Sequence, residues 1–242
     1  MILLAIESGG ESCSAALWDR DGPAPGGVRA WRALEPARGQ TERLIELVEA
    51  VLADAGLGYD ALGALAVNHG PGSFTGLRSA VAAGRGLALA ADLGVVAVSS
   101  LEALACGLQP DAGDVLAAID ARRGEVYAQR FGADLRPLPG PYGEPRALSP
   151  RAAAALATTV PTAAPLRLVG SGARLIQAQL PPGFPARCET VRPDARLVAL
   201  CAARRLTAGE RPVAGFAVRP LYLRAPDARP SVPLVAPRAV AS

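Results

Sequence analysis

The chain has 242 residues, of which 50% are hydrophobic and 19% charged, with a net charge of +3, enough apolar material for a sizeable core in one large domain or two small ones. No apolar run of eighteen residues is free of charges or turn residues, and Met1-Ile2-Leu3-Leu4-Ala5-Ile6 meets Glu7 too soon for a signal segment, so a membrane-free, cytoplasmic protein is expected. The basic charge is all arginine, and Arg122-Arg123 and Arg204-Arg205 read as solvated surface pairs, because no basic stripe is interleaved with aromatics.

In chain order, Ile2 to Ile6 is an apolar strand ending at Glu7, followed by a turn through Ser8-Gly9-Gly10 and a second strand from Cys13 to Trp18. Pro23, Pro25, Gly26 and Gly27 break the chain before a third strand, Val28 to Leu34, which returns to solvent at Glu35-Pro36. Between Gln40 and Ala55 the apolar positions Leu44, Ile45, Leu47, Val48, Val51, Leu52 and Ala55 recur at helical spacing, with Gly56 placed to stop the helix. A strand from Ala61 to Val67 enters a glycine-rich loop, a small-residue helix runs from Gly76 to about Ala91, and Val95 to Val98 is a short strand. The second half repeats the opening: Val115 to Ile119 ends at Asp120, turns through Arg122-Arg123-Gly124-Glu125 and continues as Val126 to Phe131. Two units of apolar strand, carboxylate and hairpin are what a duplicated ribonuclease-H-like scaffold would show. The segment Pro137 to Pro150 interrupts this half. A helix from Pro150 to Thr158, a strand from Leu166 to Val169 before Gly170-Ser171-Gly172, and a helix from Ala195 to about Ala208 follow. From Pro226 onward repeated prolines predict an extended or disordered tail. The spacing thus predicts a first lobe over 1–105, a second over 106–225 and the tail over 226–242.

The loop Gly70-Pro71-Gly72-Ser73-Phe74-Thr75-Gly76 combines three glycines, a proline that fixes one torsion, and two hydroxyls able to cap the next helix. Amides at a helix start also suit an anion, so the residues allow either a structural cap or a phosphate site. The Gly-Lys-Ser/Thr ending of a P-loop is absent and the chain has no lysine to supply one. In the following helix, Ala80, Ala83, Gly84 and Ala88 place small residues at intervals of three and four. A glycine inside a helix costs about 1 kcal/mol relative to alanine, so Gly84 and Gly86 suggest that something comes near, either the Leu44 to Ala55 helix or another subunit.

At this point the sequence resembles a known family. The run Gly70-Pro71-Gly72-Ser73-Phe74-Thr75-Gly76-Leu77-Arg78, with Gly86-Leu87-Ala88, is similar to the signature of the TsaB (YeaZ) family. Ile119-Asp120-Ala121-Arg122, Gly124-Glu125-Val126-Tyr127 and Pro220-Leu221-Tyr222-Leu223-Arg224 extend the resemblance along almost the whole chain. It implies an α/β protein of the actin-like ATPase and sugar-kinase (ASKHA) fold, with two ribonuclease-H-like lobes of mixed sheet flanked by helices. It also implies a non-catalytic role. In that family the chain supports a catalytic paralogue, TsaD, together with a small ATPase, TsaE. The complex places threonylcarbamoyl on the adenosine beside the anticodon of tRNAs that read codons starting with A. Contact with tRNA is then through the complex, no cofactor is required by this chain, and ATP or ADP with magnesium enters only in the complex. The helices around the loop are implied to pack on the partner or on a second copy, so Leu44, Leu47, Val48, Val51, Ala80, Ala83, Gly84 and Leu87 are expected at the interface. A bulky residue at Ala83 or Gly84 is then expected to break the complex while leaving the monomer folded.

The residue inventory agrees. A metal site like the paralogue's needs two histidines one helical turn apart, and this chain has one, His69. A hydrolase could at most use Ser73 with His69, without a nucleophile-elbow motif. Cys13, Cys106, Cys188 and Cys201 are scattered with no C-x-x-C pair, which predicts small buried thiols and neither a disulfide framework nor a zinc site. The first strand of the family usually ends Asp-Thr-Ser and here reads Glu7-Ser8-Gly9, while Gln40-Thr41-Glu42 replaces a frequent His-Ser-Glu. Glu7 and Asp120 are therefore expected as the remnant of a nucleotide site. Two other classes stay open: an ATPase or kinase using Glu7 and Asp120 around magnesium, and a stand-alone tRNA-binding module using the arginine pairs.

Overall fold

A computed structural model describes residues 1–10, 12–19, 22, 27–34, 43–159 and 164–224. The expectations at Glu35-Pro36, at Gln40-Thr41-Glu42, at most of the 20–26 turn and for the 226–242 tail fall outside these residues. The first half runs β1 (Ile2–Glu7), β2 (Cys13–Asp19), β3 (Val28–Leu34), α1 (Leu44–Ala55), β4 (Leu62–Gly70), α2 (Phe74–Ala90), β5 (Val95–Ser99) and α3 (Ser100–Cys106). The second runs β6 (Val115–Arg122), β7 (Glu125–Phe131), β8 (Arg146–Leu148), α4 (Pro150–Thr159), β9 (Leu166–Val169), α5 (Ala173–Gln177), β10 (Ala186–Glu189) and α6 (Ala195–Thr207).

The two halves have the same order of elements and the same sheet. Strands lie in the order β3-β2-β1-β4-β5 in one and β8-β7-β6-β9-β10 in the other, with the first three antiparallel and the last two parallel to the central strand. The ribonuclease-H-like duplication read from the two hairpins is therefore present in full. This is the two-lobed actin-like fold, with mixed sheets flanked by helices.

Period-two alternation assigns each residue of β1 to a layer. Leu4 and Ile6 face α1 and α2 in one apolar cluster, and Leu3 and Ala5 face α6 and part of α3 in another. The second sheet is covered by α4 and α5 on one face and by Leu101, Leu104 and Ala105 of α3 on the other. The closing helices are thus exchanged. α3 ends the first half in sequence yet covers the second sheet, and α6 ends the second half yet covers the first. The two meet at the centre of the molecule.

Capping explains several boundaries. Gly56, with φ of 64°, ends α1, and Ser99 accepts from the Glu102 amide at 3.0 Å to start α3. Asp194 accepts from the amides of Arg196 and Leu197 to start α6. Of the Arg204-Arg205 pair, Arg204 is exposed as expected, whereas Arg205 is half-buried. Both lie in the last turn of α6, where Arg205 reaches Glu102 at 3.2 Å and also binds Glu210, and Arg204 donates to the Cys106 carbonyl. Among the described residues no helix is long and apolar enough to cross a membrane.

Candidate functional site

β4 delivers the chain through a cis Gly70-Pro71 peptide into the glycine loop, and Ser73 caps α2 by accepting from the Gly76 amide at 3.4 Å. The glycines are explained by what lies against them. A Cβ on Gly72 would stand 2.3 Å from the Gly9 carbonyl oxygen, and one on Gly76 only 1.8 Å from that of Ser8. The Ser73 amide donates to the Gly9 carbonyl at 2.8 Å. The loop is seated on the β1–β2 turn backbone to backbone, and one of the amides that a phosphate would use is already taken by the protein.

Glu7, at the end of β1, is fully buried. Its carboxylate accepts from the Gly10 amide at 2.7 Å and from the Asn68 side chain. Asn68 in turn accepts from the Gly70 amide at 2.7 Å and the Ser100 hydroxyl at 3.0 Å. Burial pushes the acid up to about 7, against the Gly9 and Gly10 amides, which pull it down. This chain of bonds clips β1, β4 and α3 together.

Between the lobes is a cleft of about 990 Å³, lined by Gly9, Gly10, Gly72 and Ser73 from one side and by Ile119, Asp120, Gly170 and Ser171 from the other. Asp120 lines it. Its carboxylate is occupied by the Arg122 amide at 2.8 Å and the Arg122 guanidinium at 3.3 Å. Glu7 is not part of the lining, since its oxygens point into the bonds just described. The two acids at the ends of β1 and β6 therefore do not line the cleft together, and among the described residues no group of three His, Cys, Asp or Glu side chains is placed to hold a metal ion. Ser73 and His69 are equally occupied. The hydroxyl caps α2, and His69 Nδ1 donates to the Arg219 carbonyl at 3.0 Å while burial lowers the ring's affinity for a proton.

That contact belongs to a feature missed in the sequence. Residues 212–224 form a strap that starts beside β5, where Val213 pairs with Val95, crosses α2, where the Arg85 guanidinium donates to the Val218 carbonyl at 3.0 Å, and returns to the loop. There the Leu221 amide donates to the His69 carbonyl at 2.7 Å. Tyr222 stacks on Phe74 at 5.5 Å, with Arg78 3.8 Å above the Phe74 ring and 3.1 Å from the Tyr222 hydroxyl. Arg224 donates to Glu125 at 2.8 Å and to the Ala121 carbonyl at 3.3 Å. The three motifs quoted for the family resemblance thus converge on one place at the cleft mouth. The pattern Pro220-Leu221-Tyr222-Leu223-Arg224 was the available signal for the strap.

The residues expected at a partner interface divide differently. Leu44, Leu47, Val48, Val51, Ala80 and Gly84 are buried within the chain's own first lobe, and Ala83 and Leu87 are half-buried against the same cluster. A Cβ on Gly84 would stand 2.5 Å from Val67 Cγ2. A large residue there disrupts the packing of α2 on β4, contrary to the expectation that the monomer stays folded. Gly86, by contrast, is exposed, and a Cβ added to it would meet no atom within 4 Å among the described residues.

The comparisons with known proteins agree with this geometry. The family described as tRNA N6-adenosine threonylcarbamoyltransferase, TsaD, matches residues 27–140. YeaZ from Pseudomonas aeruginosa superposes with a TM-score of 0.76 at 29% identity, over 92% of this chain and 99% of that one. An uncharacterised protein of Mycobacterium tuberculosis is 36% identical over 80% of this chain and 79% of its own length. The Escherichia coli protein named tRNA threonylcarbamoyladenosine biosynthesis protein TsaB is 42% identical over 55% of this chain and 56% of its own length. The chain belongs to the TsaB (YeaZ) family. It spans about half the length of the first curated relatives it matches.

Within this TsaB-family chain, two helix glycines make a matched test. Gly76→Ala drives a methyl into the Ser8 carbonyl and is expected to cost roughly 2 kcal/mol of stability. Gly86→Ala meets nothing and is expected to add about 0.5–1 kcal/mol. Urea denaturation of the two variants checks the opposite signs, and equal effects would show that the loop is not seated on the hairpin.

Glu7 yields a pH prediction. Its folded value lies above the unfolded value of 4.5, so its contribution to stability is fully present below 4.5 and is lost as pH rises through about 7. Glu7→Ala also strands the Asn68 and Gly10 donors and is destabilising by about 1–3 kcal/mol. The cost should be larger at pH 5 than at pH 8, as read from melting temperatures of wild type and variant at both. An identical cost at the two would contradict the buried neutral acid.

Proposed function

We propose that this chain is a non-catalytic partner subunit of the cytoplasmic assembly that transfers threonylcarbamoyl to the adenosine beside the tRNA anticodon, acting with a TsaD-like catalytic subunit and a TsaE-like ATPase. Membership of the TsaB family supports the reaction, and the name carried by the Escherichia coli relative supports it further. One observation carries the subunit role: the outward face of α2. Ala82, Gly86 and Leu89 lie on one stripe of that helix, turned away from β4, and Leu89 is 86% exposed.

Beside the stripe, the strap presents Phe216 at 77% exposure, next to Gly215, which packs on Ala88. A helix glycine with no neighbour among the described residues costs stability without return unless something else approaches it. Covering a leucine side chain contributes about 1.5–3 kcal/mol. The partner is a folded subunit with an apolar helical face. The catalytic paralogue fits that description, and a second copy of this chain is the competing occupant. Nucleotide, magnesium and tRNA are held by the assembly, with Glu7 and Asp120 serving structure in this chain.

Reconstitution from this chain, the two partner proteins, threonylcarbamoyl adenylate and tRNA tests the reading. Modified tRNA should form only when this chain is added, and the chain alone should turn over no ATP. Leu89→Glu should leave the monomer folded by circular dichroism and weaken co-purification with the catalytic partner more than about tenfold. Full co-purification of both Leu89→Glu and Phe216→Glu would move the contact off this face. Dimers of this chain that persist in excess partner would favour self-association.

A further inference from the structure

α3 and α6 are the pair of helices through which the halves grip one another, and each carries a cysteine at their contact. Cys106 is the last residue of α3 and Cys201 lies midway along α6. They share one apolar cluster with Ala103 and Ala202, whose small side chains let the helices approach closely. The two thiols interact directly with each other. Two bonds fix the local register: Arg204, one turn beyond Cys201, donates to the Cys106 carbonyl at 3.4 Å, and Arg205 pairs with Glu102 of α3 at 3.2 Å.

We propose that Cys106 and Cys201 are a redox site: a small peroxide joins them in a reversible disulfide that locks α3 to α6 and, through them, the two lobes.

The thiols are not equivalent, which assigns their roles. Cys106 has the Arg204 guanidinium beside it, which favours its thiolate, and among the described residues no cation bonds to Cys201 in the same way. Cys13 is pushed up to about 11 by burial, and burial also raises Cys188. Cys106 is 5% exposed against 1% for Cys201, so it is the thiol that a small oxidant meets first. Its thiolate attacks one peroxide oxygen. The sulfur–oxygen bond forms as the oxygen–oxygen bond breaks, the sulfur loses two electrons, and the other oxygen leaves as hydroxide, which takes a proton to become water. The Cys201 sulfur then attacks the Cys106 sulfenic acid. The sulfur–sulfur bond forms, the sulfur–oxygen bond breaks, and the released hydroxide leaves as water with the Cys201 proton. Two thiols and one peroxide give one disulfide and two waters. An external dithiol reverses the step.

The bond would join positions far apart in sequence, restricting the unfolded chain and holding the helices at one separation. The test uses the whole chain under native conditions, with hydrogen peroxide as the oxidant, alkylation of the remaining thiols and peptide mass spectrometry. The expected result is a linked Cys106–Cys201 peptide pair in most molecules, removed by dithiothreitol, and a melting temperature a few degrees higher in the oxidised protein. Cys13→Ser and Cys188→Ser should retain the link, and Cys106→Ser should lose it. Because the wild-type mass measurement needs no variant to fold, it decides alone. Cys106 and Cys201 both still alkylated after native oxidation, a sulfinic acid at Cys106 without the link, or a link appearing only after denaturation would each overturn the proposal.

Discussion

The structure depends on one backbone contact, the seat of a glycine loop on the turn of a hairpin. In the first lobe the Ser73 amide meets the Gly9 carbonyl and no side chain fits between them. The second lobe builds its counterpart with different residues. There the Gly172 amide donates to the Ala118 carbonyl at 3.0 Å, and the Ser171 hydroxyl accepts from the Asp120 amide at 3.0 Å. Each seat fixes where the next helix starts and in what direction it leaves, and the two face one another across the cleft. The strap is then anchored on the first seat through His69 and Leu221.

Such close packing has a chemical cost. A loop whose amides and glycines are committed to its own hairpin has less to offer a phosphate, and the Glu7 oxygens are turned to Asn68 and the Gly10 amide. Glu7 carries one methylene more than an aspartate would. In this chain the added length lets it reach back to both the turn amide and Asn68. The end of β1 is built as a joint, with the polar chain Glu7, Asn68 and Ser100 carried through the core.

Much of this was legible from period and punctuation. The apolar runs of β1 and β2, the helical stripe of α1, the stop at Gly56 and the Ser73 cap all follow from local chemistry. The shorter elements escaped for equally local reasons. β8 has three residues and lies inside a Pro/Gly-rich stretch, α5 has five, and β10 has four with no buried face. α3 did leave a sign, the Ser99 and Glu102 spacing of a helix start, but it follows β5 without a break and reads as its continuation. Most residues expected at a partner interface are core residues for a different reason. An amphipathic helix on a sheet spends its apolar stripe on that sheet first, so Leu44, Val48, Val51 and Ala80 belong to the core. What stays exposed on α2 is the weaker pattern on the opposite side, Ala82, Gly86 and Leu89, which no periodicity argument ranks above ordinary exposed residues.

The exchange of closing helices gives the duplication an asymmetry between its history and its present form. Each half repeats the same arrangement of strands and helices, as two once-independent units would, yet neither half is now sufficient by itself. A chain cut between α3 and β6 would leave the Leu3 and Ala5 face of the first sheet without α6, and the Val115 and Ala117 face of the second without α3. The repeat can be traced in the chain, but it cannot be divided back into two working parts.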